Sequence, residues 1–369
     1  MIETGDAVPI LLLGGGHAHV EVIRRLGELG LGTQITLVSP SRHAPYSGML
    51  PGYVSGQYSF DDFHIDLEKL CTRYGVTFIA TSATAIDPNT RRVSLADGML
   101  LDYSILSIDI GSTPALPPGV SGGISVKPIA SFTLRLEALD ARAAEKTRRL
   151  RLAVVGQGVA GVEMAFALQR RLGRDRVDIL LAGRAHDVVT ERSRLARWIL
   201  RRELNAAGIM NYPNFEVTSF EAGELVARDG RKLFVDDVVW TTSSGAPTWL
   251  GKTGLTLDAG GFIRVDHFLR SISHPEIFAA GDVASLPDPR PKAGVFAVRQ
   301  GPVLAENIRR CLSGETLQPF RPQRRWLALI SLANGRAIAD KWALAGSGRW
   351  VARWKNWNDT RFVKRYRGR

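Results

Sequence analysis

Cysteine is scarce. The 369 residues carry two, Cys71 and Cys311, far apart and without CxxC or CxxxxC spacing. That excludes a disulfide framework or a cysteine-built metal centre, so any redox chemistry needs a borrowed cofactor. Long apolar runs are missing as well. No stretch approaches the roughly 20 apolar residues of a spanning helix, and the N-terminus lacks the basic segment and apolar core of a signal peptide. The expectation is a cytoplasmic protein. Acids are too few to balance the cations, leaving a formal charge of +12. Such a charge suits nucleic acid, anionic lipid or an acidic substrate, and equally a simple bias, since arginine is spread along the chain. The 45% hydrophobic content is ample for two or three packed domains.

What the chain does have is glycine in telling places. "ILLLGGGHAHVEVIRRLG" reads as an apolar strand at 9–13, a glycine loop and a helix from Val20 to Leu26, followed by a second strand in "TQITLVSP". Gly14-x-Gly16-x-x-His19 is a dinucleotide fingerprint with a histidine in its third glycine position. Gly14 suits the tight turn, and Gly16 lets a pyrophosphate approach the helix N-terminus, where free N–H groups and the helix dipole favour an anion. His19 alters only the close helix–strand packing. Ser39 stands where the fingerprint expects an acid for a ribose hydroxyl.

The plan is repeated about 140 residues later. "RLAVVGQGVAGVEMAFAL" carries Gly156, Gly158 and Gly161 between an apolar strand and an amphipathic helix. Two such units imply two dinucleotides. The next strand, "RVDILLAGR", again ends without an acid, and Arg184 follows it. An arginine there can receive a 2′-phosphate, which leans toward NADPH; it also reads as a solvated loop residue.

A third element, "HPEIFAAGDVASLPDPRPKAGVFAVRQG", resembles the second flavin fingerprint of the two-dinucleotide-binding flavoproteins, the pyridine nucleotide-disulfide oxidoreductase superfamily. The resemblance implies that Gly281 and Asp282 bind FAD, the carboxylate taking ribitol hydroxyls, and that a helix from Val283 onward turns its N-terminus to the flavin. "YSILSIDIGSTP" resembles the superfamily strand ending in Ala-Thr-Gly, with Asp109 and Ile110 replacing Ala-Thr and Gly111 retained. "VVWTTSSGAP" resembles the strand leaving the pyridine-nucleotide domain, with Gly245 at the turn. GGGHAH with YSGMLPG looks most like flavoproteins sometimes fused ahead of selenide, water dikinase, relatives of the type II NADH dehydrogenases. By that likeness His17 packs near or donates to FAD. Glu163 matches a glutamate kept near the nicotinamide, although a first-turn helix acid favoured by the dipole reads the same way. Gln300 matches a glutamine near the flavin where quinone approaches, and reads nearly as well as a core contact at a helix start.

Disulfide reductases of the superfamily use a cysteine pair beside the flavin, and Cys71 and Cys311 match no such arrangement; both read as small apolar helix residues. Hydride is then expected to pass directly from NAD(P)H to FAD, and onward to a quinone or another diffusible acceptor. In the tail, "GRWVARWKNWNDTRFVKRYRGR", Trp350, Trp354 and Trp357 share one helix face among many cations, including Arg367 and Arg369. That composition fits a helix lying on anionic lipid, a stripe packed on the protein itself or on a second copy in a homodimer, or, least well, a nucleic-acid contact. The paired histidines His17/His19 and His43/His64 lack further ligands, so no metal is expected.

The reading is an α/β fold with two Rossmann-like dinucleotide-binding domains: a discontinuous FAD domain from 1–117 and 256–325, an NAD(P) domain at 118–255, and a C-terminal interface or membrane segment at 326–369. The function expected is that of an FAD-dependent NAD(P)H oxidoreductase, cytoplasmic or at the inner face of the membrane. Two alternatives remain at this point, a soluble flavin reductase tied to selenium metabolism and a basic flavin-containing binding protein of the apoptosis-inducing-factor kind.

Overall fold

The structure, a computed structural model, describes residues 9–145, 148–323 and 325–367. Two five-stranded parallel sheets organise it. In the first, Ile10–Leu13 lies at the centre, flanked by Ile35–Val38 and then Thr77–Ile79 on one side and by Ile105–Ile108 and then Ile277–Ala279 on the other. Every residue of Ile10–Leu13 and Ile105–Ile108 is buried, as expected of parallel strands covered on both faces. The covering helix, α1 (His17–Glu28), begins three residues before the apolar periodicity suggests, because its first turn belongs to the glycine loop.

The second sheet repeats this plan. Leu150–Val155 is central, with Val177–Ala182 and Met210–Tyr212 on one side and Asp237–Trp240 and Ile124–Ser125 on the other. Its helix, α2 (Val159–Leu172), buries Val162, Met164, Ala165 and Leu168. Thr113–Pro114 and Ser244–Gly245 run antiparallel to each other, so the chain leaving the first sheet and the chain returning from the second meet there.

One expected helix starts elsewhere. Gly281–Val283 is a single 3-10 turn, and the long helix α3 (Gly294–Leu312) begins eleven residues after Val283. Pro287, Pro289 and Pro291 explain the delay, since each lacks an N–H and restricts the residue before it.

The C-terminal region is an antiparallel sheet of Ala328–Ser331, Ala337–Lys341 and Leu344–Gly348, followed by helix α4 (Arg349–Arg367). One face of α4 buries Val351, Asp359, Phe362, Val363 and Tyr366. The tryptophans do not share that face: Trp350, Trp354 and Trp357 are 60%, 40% and 55% exposed. The stripe is therefore largely exposed, and a different face of the helix makes its buried contact with the rest of the protein. Arg369 lies outside the described residues.

Candidate functional site

At the first loop, Gly14 turns at φ +91° and donates its amide to the Val38 carbonyl, 2.8 Å, as a tight turn between strand and helix requires. His19 fills the space of the missing third glycine. Its Nδ1 is 2.6 Å from the Gly14 carbonyl and its Nε2 2.8 Å from Ser107 Oγ. A carbonyl cannot donate, so Nδ1 carries the proton and Nε2 accepts from the serine hydroxyl. Burial lowers its pKa to about 4, so the imidazole is neutral. The histidine ties the loop, the helix and strand Ile105–Ile108 together.

Ser39, at the strand end, is buried and donates to the Ser41 carbonyl, 3.0 Å. Gly111, at φ +72°, has open space where a side chain would project. Asp109 is where the sequence reasoning falls short. Its carboxyl is 3% exposed and accepts from the backbone N–H groups of Ala18, 2.9 Å, and His19, 3.3 Å, at the start of α1. An acid closing a strand that reads ILSI was the available signal.

Asp282 faces the same region from the turn after Ile277–Ala279. It accepts from Lys127 Nζ, 2.6 Å, and Ser112 Oγ, 3.0 Å, and the same ammonium donates to Ser244 Oγ, 2.8 Å. Lys127 thus joins the returning strand to Asp282, and nothing in its sequence context announces it. Gln300 is 1% exposed, and its Oε1 accepts from the Gly281 amide, 2.6 Å. It fastens the Gly-Asp turn to α3. Gly245 lies in the two-stranded crossing, opposite Thr113.

His17 opens α1, and its Nε2 is buried without a hydrogen-bond partner among the described residues. Its ring lies 5.4 Å from Tyr46 and 6.0 Å from Phe362, and close to the first residue of α3, Gly294. Burial lowers its pKa to about 4 against the pull of Asp282. The residues fit FAD: a glycine turn at a helix N-terminus, a strand-end carboxylate, and an unpartnered buried imidazole nitrogen between the starts of α1 and α3.

At the second loop Gly156 turns at φ +124° and donates to Ala182 O, 2.8 Å. A Cβ on Gly161 would overlap the Gly156 carbonyl, so that glycine sets the helix–strand approach, whereas Gly158 opens onto free space. Gln157, 5% exposed, donates from Nε2 to Asn211 Oδ1, 2.8 Å, while its Oε1 is buried beside Gly183 without a partner among the described residues. Arg184 is exposed and makes no ion pair among the described residues.

Glu163, on the second turn of α2, does not sit at the loop. Its Oε1 accepts from the Ser331 amide, 2.7 Å, and burial pushes its pKa up to about 7 despite the Lys355 charge. Lys355 of α4 donates to the Gly48 carbonyl, 2.8 Å, and to Asp359 Oδ2, 2.7 Å. Glu163, Lys355 and Asp359 form a buried ionisable cluster between α2, the YSGMLPG segment and the tail helix. In the sequence Lys355 is one of the tail's many cations and Asp359 its single acid, and nothing there pairs them with Glu163. Cys71 is buried, with burial pushing its thiol up to about 12, and Cys311 is exposed on α3. Among the described residues no group of three or more His, Cys, Asp or Glu could hold a metal.

Two matching nucleotide folds, joined by a crossing ribbon and sharing a carboxylate-bearing turn, define a two-dinucleotide oxidoreductase. The chain belongs to the pyridine nucleotide-disulphide oxidoreductase family, whose model matches residues 8–301. It is an FAD-dependent NAD(P)H oxidoreductase. It is 28% identical over 341 residues to the demethylphylloquinone reductase NdbB of a Synechocystis species, covering 86% of this chain and 83% of that one. To the alternative NAD(P)H-ubiquinone oxidoreductase C1 of Arabidopsis thaliana it is 24% identical, covering 85% and 69%. Among solved structures, the sulfide:quinone oxidoreductase of Aquifex aeolicus superposes with a TM-score of 0.83 at 17% identity, over 98% of this chain and 92% of that one; this likeness concerns the fold.

Proposed function

We propose that this protein is an NAD(P)H:quinone oxidoreductase that works at an anionic membrane surface without a redox cysteine pair. FAD, when bound, supplies the chemistry, taking hydride from the nicotinamide and giving electrons to the quinone. Residues 1–117 and 256–325 hold the flavin and 118–255 the donor. The observation that carries the reading is the two-sided character of α4. One face joins the flavin side through Lys355 on the Gly48 carbonyl and Phe362 on Tyr46, 4.5 Å. Away from it stand three exposed tryptophans, with Trp342 and Leu344 of the neighbouring hairpin exposed as well and Arg361 5.0 Å from the Trp357 ring. Exposed aromatics among cations suit the interface of an anionic bilayer, where a quinone is found. Among the described residues no helix is long and apolar enough to cross a membrane, so the contact proposed is peripheral.

On the donor side, Gly158 leaves room for a pyrophosphate at the start of α2, and Gln157 Oε1 offers the acceptor for a ribose hydroxyl that the strand end lacks. Arg184 favours a 2′-phosphate, and so NADPH. The raised thiol pKa values of Cys71 and Cys311 leave little thiolate, which supports direct transfer. Glu163 can hold or release a proton near neutrality, which quinone reduction consumes. Glu163→Gln is therefore expected to remove a limb near pH 7 from the pH profile of quinone reduction while leaving flavin reduction by NAD(P)H within about threefold.

The test is a vesicle assay with the full chain. Replacing Trp350, Trp354 and Trp357 by alanine is expected to weaken binding to phosphatidylglycerol vesicles at least tenfold and to lower reduction of quinone held in them. Reduction of ferricyanide by the same variant should be unchanged. Equal binding of parent and variant, or no preference for phosphatidylglycerol over phosphatidylcholine, would overturn the membrane reading.

A further inference from the structure

The first loop holds an arrangement that a simple anion site does not need. The carboxyl of Asp109 already sits on the N–H groups of Ala18 and His19, where the partial positive charge of α1 is greatest. The N-cap residue, Gly16, has no side chain to do this, so Asp109 caps the helix from the neighbouring strand. A dedicated slot receives it: a Cβ on Gly16 would fall within the carboxyl group, and a Cβ on Gly281 would strike its Oδ1. Two of the glycines that the sequence marks for FAD thus also make room for an acid.

FAD brings two phosphate charges to the same helix end. The groups facing Asp109 give an ionised carboxylate little help against them. His17 and His19, on α1, are held neutral by burial. Asp282, from the adjoining turn, is another negative group, and its cation, Lys127, is already shared with two serines. Burial, with Asp282 adding to it, pushes the Asp109 carboxyl up to about 7 even before a phosphate is counted.

We propose that Asp109 is a proton-coupled positioning residue of the flavin site: it holds a proton while the FAD pyrophosphate is in place, so that retention of FAD depends on pH through this one side chain. The protonated acid keeps one oxygen on the helix N–H groups and carries its hydrogen on the other. The balance is one proton taken up when FAD binds to the ionised form and one released when FAD leaves.

The sign follows from linkage. Phosphate charge raises the pKa of Asp109 in the holoprotein above that of the flavin-free protein, so affinity falls as pH rises between the two values. Flavin release from the holoenzyme, followed by the fluorescence of freed FAD, gives the dissociation constant at each pH. From pH 7 to 9 it is expected to rise by about three- to tenfold per unit in the parent, ten being the ceiling for one proton. Asp109→Asn keeps the acceptor for the helix and cannot ionise, so its dissociation constant should change less than about twofold over the same range. Should that variant fold poorly, calorimetry of FAD rebinding to the parent at pH 8, in two buffers of different ionisation enthalpy, reads the proton directly, with uptake of between half a proton and one expected. A flat pH response in the parent, the same slope in the Asn variant, or no proton uptake would overturn the proposal.

Discussion

Gly158→Asp is expected to abolish reduction of the flavin by NAD(P)H while leaving the fold and the bound flavin intact. Gly158 is the N-cap of α2, with φ −72° and ψ −179°, a conformation any residue adopts, and a side chain there meets open space. Aspartate is a favoured N-cap and its charge suits the helix dipole, so stability should stay within about 1 kcal/mol of the parent or rise. The same carboxylate would occupy the seat of the donor's pyrophosphate. At about 4 Å and an effective dielectric near 20, each charge pair costs about 4 kcal/mol, enough for a loss of a hundredfold or more in kcat/KM for the nucleotide. Anaerobic stopped-flow bleaching with NADH and NADPH reads the loss, and dithionite reduction with an unchanged visible spectrum shows the flavin site intact. Bleaching at the parent rate would place the donor away from this loop.

The contrast between the two loops shows which features the sequence exposes. Strand, glycine turn and helix are local in the chain, so Gly14, Gly156 and Gly161 can be read directly from spacing. The apolar runs around them fix the parallel sheets for the same reason. What completes the sites is long-range. Asp109 reaches Ala18 across 91 positions, Lys127 reaches Asp282 across 155, and Glu163 reaches Ser331 across 168. No periodicity reports such partners. The histidine in the third glycine position looked like a weakening of the fingerprint, yet its ring bonds supply the contact that glycine packing would have made. The helix expected at Val283 fails for a local reason that was legible, the three prolines before Gly294. Gln300, with the Gly301 that follows it, is the opposite case. Gln300 holds the Gly281 amide, and a Cβ on Gly301 would meet Glu21 and the Ala18 carbonyl of α1, 2.8 and 3.2 Å away, so both also serve packing.

The cluster at the base of the tail gives the largest expected effect on stability. Lys355 is 13% exposed at its side chain and Asp359 6%, and Glu163 adds a third buried ionisable group. Burial disfavours the Lys355 charge, but Asp359 and Glu163 together hold its pKa above the ordinary value. Lys355→Met removes the cation that opposes burial at Glu163, leaves the Gly48 carbonyl without this donor, and strands Asp359. Breaking a buried pair from one side costs about 3–5 kcal/mol. The deficit should depend on pH with a definite sign. Both carboxyls already sit above their ordinary values, and loss of the ammonium raises them further, so at these two positions the folded variant binds more protons than its unfolded chain. The contribution of these two carboxyls to its stability is therefore fullest below pH 4, where they are protonated in both states, and is lost as pH rises through neutrality. Urea midpoints at pH 5 and pH 8 should show the variant closer to the parent at pH 5. Lys355→Met combined with Asp359→Leu should recover a large part of the loss at pH 8, because it exchanges the pair for apolar volume instead of leaving one charge behind. Recovery of stability without recovery of quinone reduction would separate the cluster's two roles, fastening α4 to the YSGMLPG segment and holding the Glu163 proton near neutral pH.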